Sequence, residues 1–573
     1  MPDSIAVIGC GPGGMFFCHA LESKRKELLD KGELIDHLPR VTVFERASGP
    51  GGVWRSDRNT VSDLREEKKE TEFECSVERC GTQMYEALWT NGPKEGIEFF
   101  DYTYDEHFGR QLPVHMPRHA LLGYMTGRVV KNCPTFFEKY VQFNQSVSKV
   151  HYDQNAKQFS ITVRDMLSGV TSTQFFDKCI WAAGDNGMPF IPQSLLRILH
   201  DFRGKIWHSS DANSFEDDVR GKQVLLIGGS YSAEDLALMA CKIGVKRVYI
   251  VSRSEDNVVS WTNKWPGNRV KCLNCFSPIK VVNGTQIVLR RTKYVAYNTY
   301  EEMQGHEVVI KDIDTIILCT GYCGQYGMLE PNLCGWACDS DKSRKSFPVP
   351  DDWEMLPNPV SKSIGNVPHP REGRWCGSLV VHPELYRGIL IENPSMMFFR
   401  HEHEDYPILG IDAQAWLFMQ FLTGGREIPS KEEMEKQNLE QALHEMKAFP
   451  YCRYAMDPTF FKLWTEDVDP DCELYCEAKA TCEKYDIMVM ARTLREADHP
   501  LDIGTINGLN TLGQRLHEYG QMDLACRHST TTHTTFRDIQ DVEEFKSIFT
   551  GTSSVPLRKP WLEIRELEED DYF

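Results

Sequence analysis

Ile5-Ala6-Val7-Ile8-Gly9-Cys10-Gly11-Pro12-Gly13-Gly14 decides the fold: a short apolar run rich in β-branched residues, a glycine turn, and then Met15 to Leu29, which reads as a helix. Gly9, Gly11 and Gly14 fit the spacing G-x-G-x-x-G. The first glycine permits the tight turn, the second lets a pyrophosphate reach the backbone, and the third lets helix and strand pack closely. The helix N-terminus, where unpaired backbone N–H groups converge, then faces the phosphates. A second strand, Val41 to Phe44, ends in Glu45, whose carboxylate is placed to accept hydrogen bonds from a ribose. The interval from Gly9 to Glu45 exceeds the usual one, with the mostly polar Asp30 to Pro39 stretch as the insertion. Glycines also make plain turns, so this unit alone is weak evidence.

A second unit of the same kind follows. Val224-Leu225-Leu226-Ile227 is an apolar strand, Gly228-Gly229-Ser230-Tyr231-Ser232-Ala233 a small-residue turn, and Glu234 to Lys242 a helix. The next strand, Arg247 to Val251, ends in Ser252-Arg253. An arginine where the first unit has Glu45 favours a 2′-phosphate, so the first unit reads as built for FAD and the second for NADPH. A chance glycine turn does not bring the matching ribose-site residue with it, and two such units together carry far more weight than either alone.

Working outward, 64 Lys and Arg against 83 Asp and Glu give a formal charge of −19 across 573 residues. That balance disfavours a nucleic-acid binder, which needs clustered cations to displace counterions. With 41% hydrophobic residues, the chain suits several globular domains. The first residues show no basic start, long apolar region or cleavage site, so no signal peptide is expected. No apolar stretch approaches the ~20 residues of a spanning helix; Ile411 to Leu422 is broken by Asp412, Gln414 and Gln420. A soluble, cytoplasmic protein is expected, with its 19 cysteines mostly reduced. Cys272-x-x-Cys275 and Cys334-x3-Cys338 have unequal spacings and a long intervening loop, and no metal is expected there.

Residues Val141 to Val163 alternate apolar and polar and predict antiparallel hairpin strands, followed by a buried strand from Cys179 to Ala183. Thr315 to Leu318 predicts the strand that closes the second unit, and Ile411 to Leu422 a helix packed on the flavin domain. Ser430 and Glu433 form a capping box at a helix start. The charged Arg65 to Glu74 segment and the acidic Glu566 to Asp571 tail read as solvated, and Gly335 to Pro370 as loop.

Gly51-Gly52-Val53-Trp54-Arg55, Trp89-Thr90-Asn91-Gly92-Pro93-Lys94-Glu95, Phe202-x-Gly204-x3-His208, Gly228-x-Ser230-x-Ser232-Ala233 and Leu318-Cys319-Thr320-Gly321-Tyr322 occur in this order. Together they resemble the flavin-containing monooxygenase family and, within it, the bacterial trimethylamine monooxygenase branch. Asp101-Tyr102-Thr103-Tyr104-Asp105, Asp412-Ala413-Gln414-Ala415-Trp416 and Thr535-Phe536-Arg537-Asp538 add to the resemblance, which spans essentially the whole chain. It implies an α/β fold of two Rossmann-like dinucleotide-binding domains, three-layer ββα in type. The expected parts are an FAD domain over 1–190 and 326–430, an inserted NADPH domain over 191–325, and a C-terminal helical extension over 431–573.

The resemblance also implies an NADPH- and O2-dependent enzyme that forms a flavin C4a-hydroperoxide and oxygenates a small soft nucleophile, a trimethylamine-like amine or a sulfide. Asn91 and Tyr231 are then the catalytic candidates. An amide donates near the flavin without titrating, although Asn91-Gly92 is also a turn dipeptide; a core or turn tyrosine is the alternative for Tyr231. The expected cofactor residues are Gly9, Gly11, Pro12, Gly13, Gly14, Glu45, Arg46, Gly52, Val53, Trp54, Asn91, Gly228, Ser230, Tyr231, Ser232, Asp235, Arg253, Thr320, Gly321 and Gln414. Arg253 suits a 2′-phosphate through bidentate hydrogen bonds, with a surface salt bridge as its alternative, and Lys264 is a second candidate. His208 reads as a structural histidine. A homodimer is expected from the family alone.

Three departures stand out: Ala212 where the family has an aromatic residue, Ala182-Ala183-Gly184 near the end of the flavin domain, and Arg400-His401-Glu402-His403-Glu404-Asp405-Tyr406 in place of a polar loop containing Gln and Trp. The last makes the substrate the least transferable inference. Carboxylates of Glu402, Glu404 and Asp405 in the pocket would attract a protonated amine and accept its proton; an exposed acidic loop is the other reading. Glu402→Gln with Asp405→Asn is expected to raise KM for amines but not for thioethers, and equal effects on both would overturn the pocket reading. A halogenase that oxidises bromide or chloride for aromatic halogenation is the competing function, and a nucleotide-binding redox sensor or scaffold the third.

Overall fold

A computed structural model of the chain describes residues 2–55, 88, 90, 97–99, 101–109, 116–184, 188–253, 267–296, 299–323, 326–334, 384–399, 407–441 and 492–500. Two parallel sheets form its frame. In the first, strand β1 (Ser4–Ile8) lies between β2 (Arg40–Phe44) and the Lys178–Trp181 strand, with Ile8 opposite Phe44 and Trp181. Met396–Phe398 extends it beyond Lys178–Trp181 and Val141–Gln142 beyond β2, both parallel. Two short antiparallel strands, Leu385–Tyr386 and Ile389–Leu390, finish one edge. Ile5 to Ile8 are all buried, as expected for a strand covered on both faces.

Helix α1 (Pro12–Asp30) follows β1 directly, earlier than the Met15 start expected from the apolar pattern. Pro12 stands at its first position, where a missing N–H costs nothing and the fixed φ already suits a helix. The Pro407–Thr423 helix packs on α1, so the apolar run around Asp412 closes the core beside the first sheet. Met15, Phe16, Trp416, Phe418 and Phe421 share one hydrophobic cluster there.

The second sheet runs Val270–Asn274, Arg247–Ser252, Gln223–Ile227, Thr315–Leu318, Lys205–His208, all parallel. Its central strand leads through Gly228 into the Tyr231–Lys242 helix, three residues before the expected helix start. Each parallel sheet carries an antiparallel three-stranded companion. Gln145–Asp153, Gln158–Asp165 and Thr171–Phe176 realise the alternation read between Val141 and Val163 and add a third strand. Phe276–Val282, Gln286–Ala296 and Thr299–Ile310 form the other, whose Ile287, Leu289 and Ile310 pack with Leu225 and Leu318 of the second parallel sheet. The chain crosses between the parallel sheets at Met188–Pro189 and Tyr322–Cys323, which pair antiparallel.

The Ser430 cap forms in part as expected, with the Glu433 N–H donating to Ser430 Oγ at 3.3 Å. Among the described residues no helix is long and apolar enough to cross a membrane, and no cluster of His, Cys, Asp and Glu is arranged to hold a metal. Asn91, Lys264, the Arg400–Tyr406 loop, the Arg65–Glu74 segment, Gly335 to Pro370, Cys338, the Thr535–Asp538 motif and the Glu566–Asp571 tail lie outside the described residues.

Candidate active site

The first glycine turn has the shape its sequence demands. Gly9 takes φ +103°, and a Cβ there would sit 2.6 Å from the Ala182 carbonyl oxygen. Gly14 faces the Gly9 carbonyl so closely that any side chain would overlap it. Gly11 is the N-cap of α1 and offers no side-chain cap, so the first N–H groups of the helix have no side-chain acceptor there. The Gly51–Trp54 stretch folds over this turn. The Gly51 N–H donates to Cys10 O at 2.8 Å, and a Cβ on Gly52 would lie 3.0 Å from Gly11 Cα. Gly52–Trp54 is a single 3-10 turn. Backbone approaches backbone at Gly11 and Gly52, and glycine at both positions makes a cradle that a Cβ would fill.

Glu45 stands at the end of β2, where a ribose-binding carboxylate belongs. It is buried, and its two oxygens accept from the backbone N–H groups of Cys10 at 2.7 Å and Ala47 at 2.8 Å. Each carboxylate oxygen retains a lone pair. The donor set and cradle fit an anionic dinucleotide held at a helix N-terminus. Arg46, next in the chain, is half-buried. The Phe399 ring covers Gly13 at the start of α1.

Arg118 draws a further segment to this place. Its guanidinium donates to Trp54 O, and its backbone N–H donates to Leu88 O at 2.8 Å. Thr90, directly before Asn91, is buried and bonded both ways with Met116: its N–H donates to Met116 O at 2.8 Å, and its hydroxyl accepts from the Met116 N–H at 3.0 Å. The residues flanking the amide motif are therefore anchored beside the Gly51–Trp54 stretch.

The second turn repeats the first. Gly228 takes φ +127°, and a side chain there would overlap the Cys319 carbonyl. Ser230 is the N-cap of the Tyr231–Lys242 helix and makes no side-chain cap bond to it. Tyr231 and Ser232 begin this helix, with Asp235 half-buried one turn on. Tyr231 is 41% exposed, which removes the core-tyrosine alternative. Arg253 follows the Arg247–Ser252 strand and is exposed, its guanidinium 5.2 Å from the Tyr300 ring centroid.

Thr320 and Gly321 lie at the crossing between the sheets. The Thr320 hydroxyl donates to Phe190 O, and the Phe190 N–H to Gly321 O at 2.8 Å. His208 ties this crossing down. Its Nδ1 accepts from the Ser210 N–H at 3.2 Å, which leaves Nε2–H to donate to Gly321 O at 3.1 Å. A fully buried, neutral imidazole with both nitrogens engaged is structural, in line with the sequence. Burial pulls its pKa down to about 4.

The unfolded imidazole protonates near pH 6.5, whereas the folded one resists down to about 4. This stabilising contribution is complete above 6.5 and is lost as pH falls toward 4, up to ~3 kcal/mol. Urea unfolding across that window is expected to show a decline that His208→Gln flattens; an unchanged slope would contradict it.

Behind the first turn the structure holds a charge network that sequence reasoning missed. Arg128, on the Arg118–Asn132 helix, donates to both oxygens of Asp412 at 2.7 and 3.0 Å and to Asp101 at 2.9 Å. His499 meets Asp412 at 3.0 Å and His19 of α1 meets Asp101 at 3.2 Å. The Arg128 guanidinium lies 4.0 Å from the Phe99 ring centroid. Burial pushes Asp412 up, but the Arg128 charge and the His499 hydrogen bond outweigh it and hold the carboxyl well below the usual range. Gln414, expected at the cofactor, is buried two residues beyond Asp412, its Nε2 donating to Phe398 O at 3.3 Å. A signal was present in the sequence: Asp412 is a lone carboxylate in an apolar helix, and such a charge requires a partner.

The comparisons with known proteins agree with this geometry. The flavin-binding monooxygenase-like family model matches residues 34–293. The chain is 28% identical over 483 residues to a trimethylamine monooxygenase of Pelagibacter ubique (strain HTCC1002), covering 80% of this chain and 89% of that one. It is 27% identical to a trimethylamine monooxygenase of Roseovarius nubinhibens, covering 84% and 90%. The crystal structure of Tmm from Pelagibacter sp. strain HTCC7211 shares the fold with a TM-score of 0.62 at 23% identity over the full length of both chains. An S-allyl-L-cysteine S-oxygenase from Allium sativum shares it at 0.54 and 18% identity, covering 91% and 99%. Two dinucleotide turns of one design, a glycine stretch folded over the first, and these likenesses lead to one conclusion: the chain is similar to the flavin-containing monooxygenases and is a flavin-dependent monooxygenase.

Proposed function

We propose that the protein uses FAD, NADPH and O2 to convert a small tertiary amine of the trimethylamine kind to its N-oxide. One observation carries this reading: two glycine turns opening onto uncapped helices occur in a chain whose relatives over four-fifths of its length are trimethylamine monooxygenases. The bound flavin, reduced by the nicotinamide, supplies activated oxygen. In balance, amine, O2, NADPH and a proton give N-oxide, NADP+ and water.

The chain's own residues position and shield. The open N–H groups at the start of α1, with Gly9, Gly11, Pro12, Gly13 and Gly14, hold the FAD pyrophosphate, and Glu45 holds its ribose. Arg46 and the Gly52-Val53-Trp54 turn would border it. Gly228, Ser230, Ser232 and Asp235 receive the NADPH phosphates and ribose, Arg253 the 2′-phosphate, and Tyr231 borders the nicotinamide. Asn91 follows Thr90, which is anchored through Met116, and its amide would serve as a non-titrating donor to the flavin. Thr320 and Gly321 mark the boundary between a flavin domain and an inserted NADPH domain. The test is product analysis: purified protein with NADPH and trimethylamine yields trimethylamine N-oxide in step with NADPH oxidation. Oxidation of a thioether with no N-oxide formed would move the substrate class to sulfur, and no oxygenated product from either would overturn the proposal.

A further inference from the structure

Arg253 is exposed at the end of its strand, yet the long hairpin of the neighbouring sheet fixes it at two points. The Thr292 hydroxyl donates to Arg253 O at 3.0 Å, and Thr292 is itself buried, its N–H donating to Cys275 O at 2.7 Å. The Tyr300 ring lies 5.2 Å from the Arg253 guanidinium carbon. Tyr300 pairs with Tyr294 across the hairpin and Thr292 with Glu302. Residues two apart and residues directly opposite share a sheet face, so Thr292 and Tyr300 meet Arg253 from the same face. Glu302, on that face as well, is engaged by Arg290 Nη1 at 2.8 Å. Among the described residues no carboxylate pairs with Arg253.

We propose that Tyr300, supported by Thr292, positions Arg253 and so sets the preference for a 2′-phosphorylated dinucleotide; this rests on the reading of Arg253 as the 2′-phosphate ligand. An arginine on a flexible stem loses rotamer freedom when it grips a phosphate. An aromatic face that already holds the guanidinium lowers that loss and leaves its edge N–H groups free to donate. Tyr300 is a positioning residue, contributed by a hairpin outside both glycine turns.

Calorimetric binding of 2′,5′-ADP and 5′-AMP to the flavin-loaded protein tests this. Wild type is expected to favour 2′,5′-ADP, and Arg253→Ala to remove that preference. Tyr300→Ala is expected to weaken 2′,5′-ADP by about two- to fivefold, the size of an exposed cation–π contact, and to leave 5′-AMP unchanged, while Tyr300→Phe binds as wild type. Equal weakening of both nucleotides by Tyr300→Ala, or no weakening, would overturn the positioning role. An unchanged preference in Arg253→Ala would instead overturn the 2′-phosphate reading beneath it.

Discussion

Asp412→Ala is expected to lower the free energy of unfolding by about 3–5 kcal/mol, the cost of leaving a buried charge without its partner. Arg128 is fully buried and gives two of its hydrogen bonds to Asp412, so the substitution removes both from a buried cation that still donates to Asp101. The damage extends beyond one pair. Asp412 joins the Arg118–Asn132 helix, the Pro407–Thr423 helix and His499, while Asp101 ties the same arginine to His19 on α1. Urea denaturation at pH 7.5 measures the loss. Replacing Arg128 and Asp412 together with Met and Leu is expected to recover much of it, since an apolar pair of similar volume avoids burying a lone charge. A change below about 1 kcal/mol for Asp412→Ala would contradict the network's role.

Gly14→Ala is expected to abolish flavin retention through purification. The added methyl group would overlap the Gly9 carbonyl, which is fixed because Gly9 itself abuts Ala182 O. Relief requires α1 to move away from β1, and overpacking of this kind costs ~1–3 kcal/mol in the fold. The larger effect falls on the ligand, because the helix N-terminus shifts from the turn that aims it. Gly123→Ala is the control: it lies inside the Arg118–Asn132 helix, among the described residues its methyl meets only His107 Nε2 at 3.8 Å, and alanine favours a helix. Flavin absorbance per mole of protein is the readout; a fully yellow Gly14→Ala protein would contradict the cradle.

The parts legible in the sequence are those written locally. Both strand, glycine turn and helix units could be read because a turn that needs positive φ or close backbone approach at Gly9, Gly14 and Gly228 leaves glycines at fixed intervals, and a strand covered on both faces leaves an apolar run. Glu45 and Arg253 were legible for the same reason, each closing the strand after its turn. Contacts between distant segments were not. Arg128 and Asp412 are 284 residues apart, and nothing near either names the other. The folding of Gly51–Trp54 over Gly11 shows only as matching glycines until the backbones are seen to meet. Gln414 was singled out by its motif alone, and its place in the core, with Nε2 donating to Phe398 O, is visible only in the folded chain.

The most direct test of the oxygenase account supplies the purified, flavin-loaded protein with NADPH, trimethylamine and isotopically heavy dioxygen, and follows the label by mass spectrometry. The account predicts an N-oxide carrying one heavy oxygen atom, with one NADPH oxidised for each molecule formed and the second atom recovered in water. NADPH oxidation that delivers all of the label to hydrogen peroxide, with none in an oxygenated amine, would contradict it.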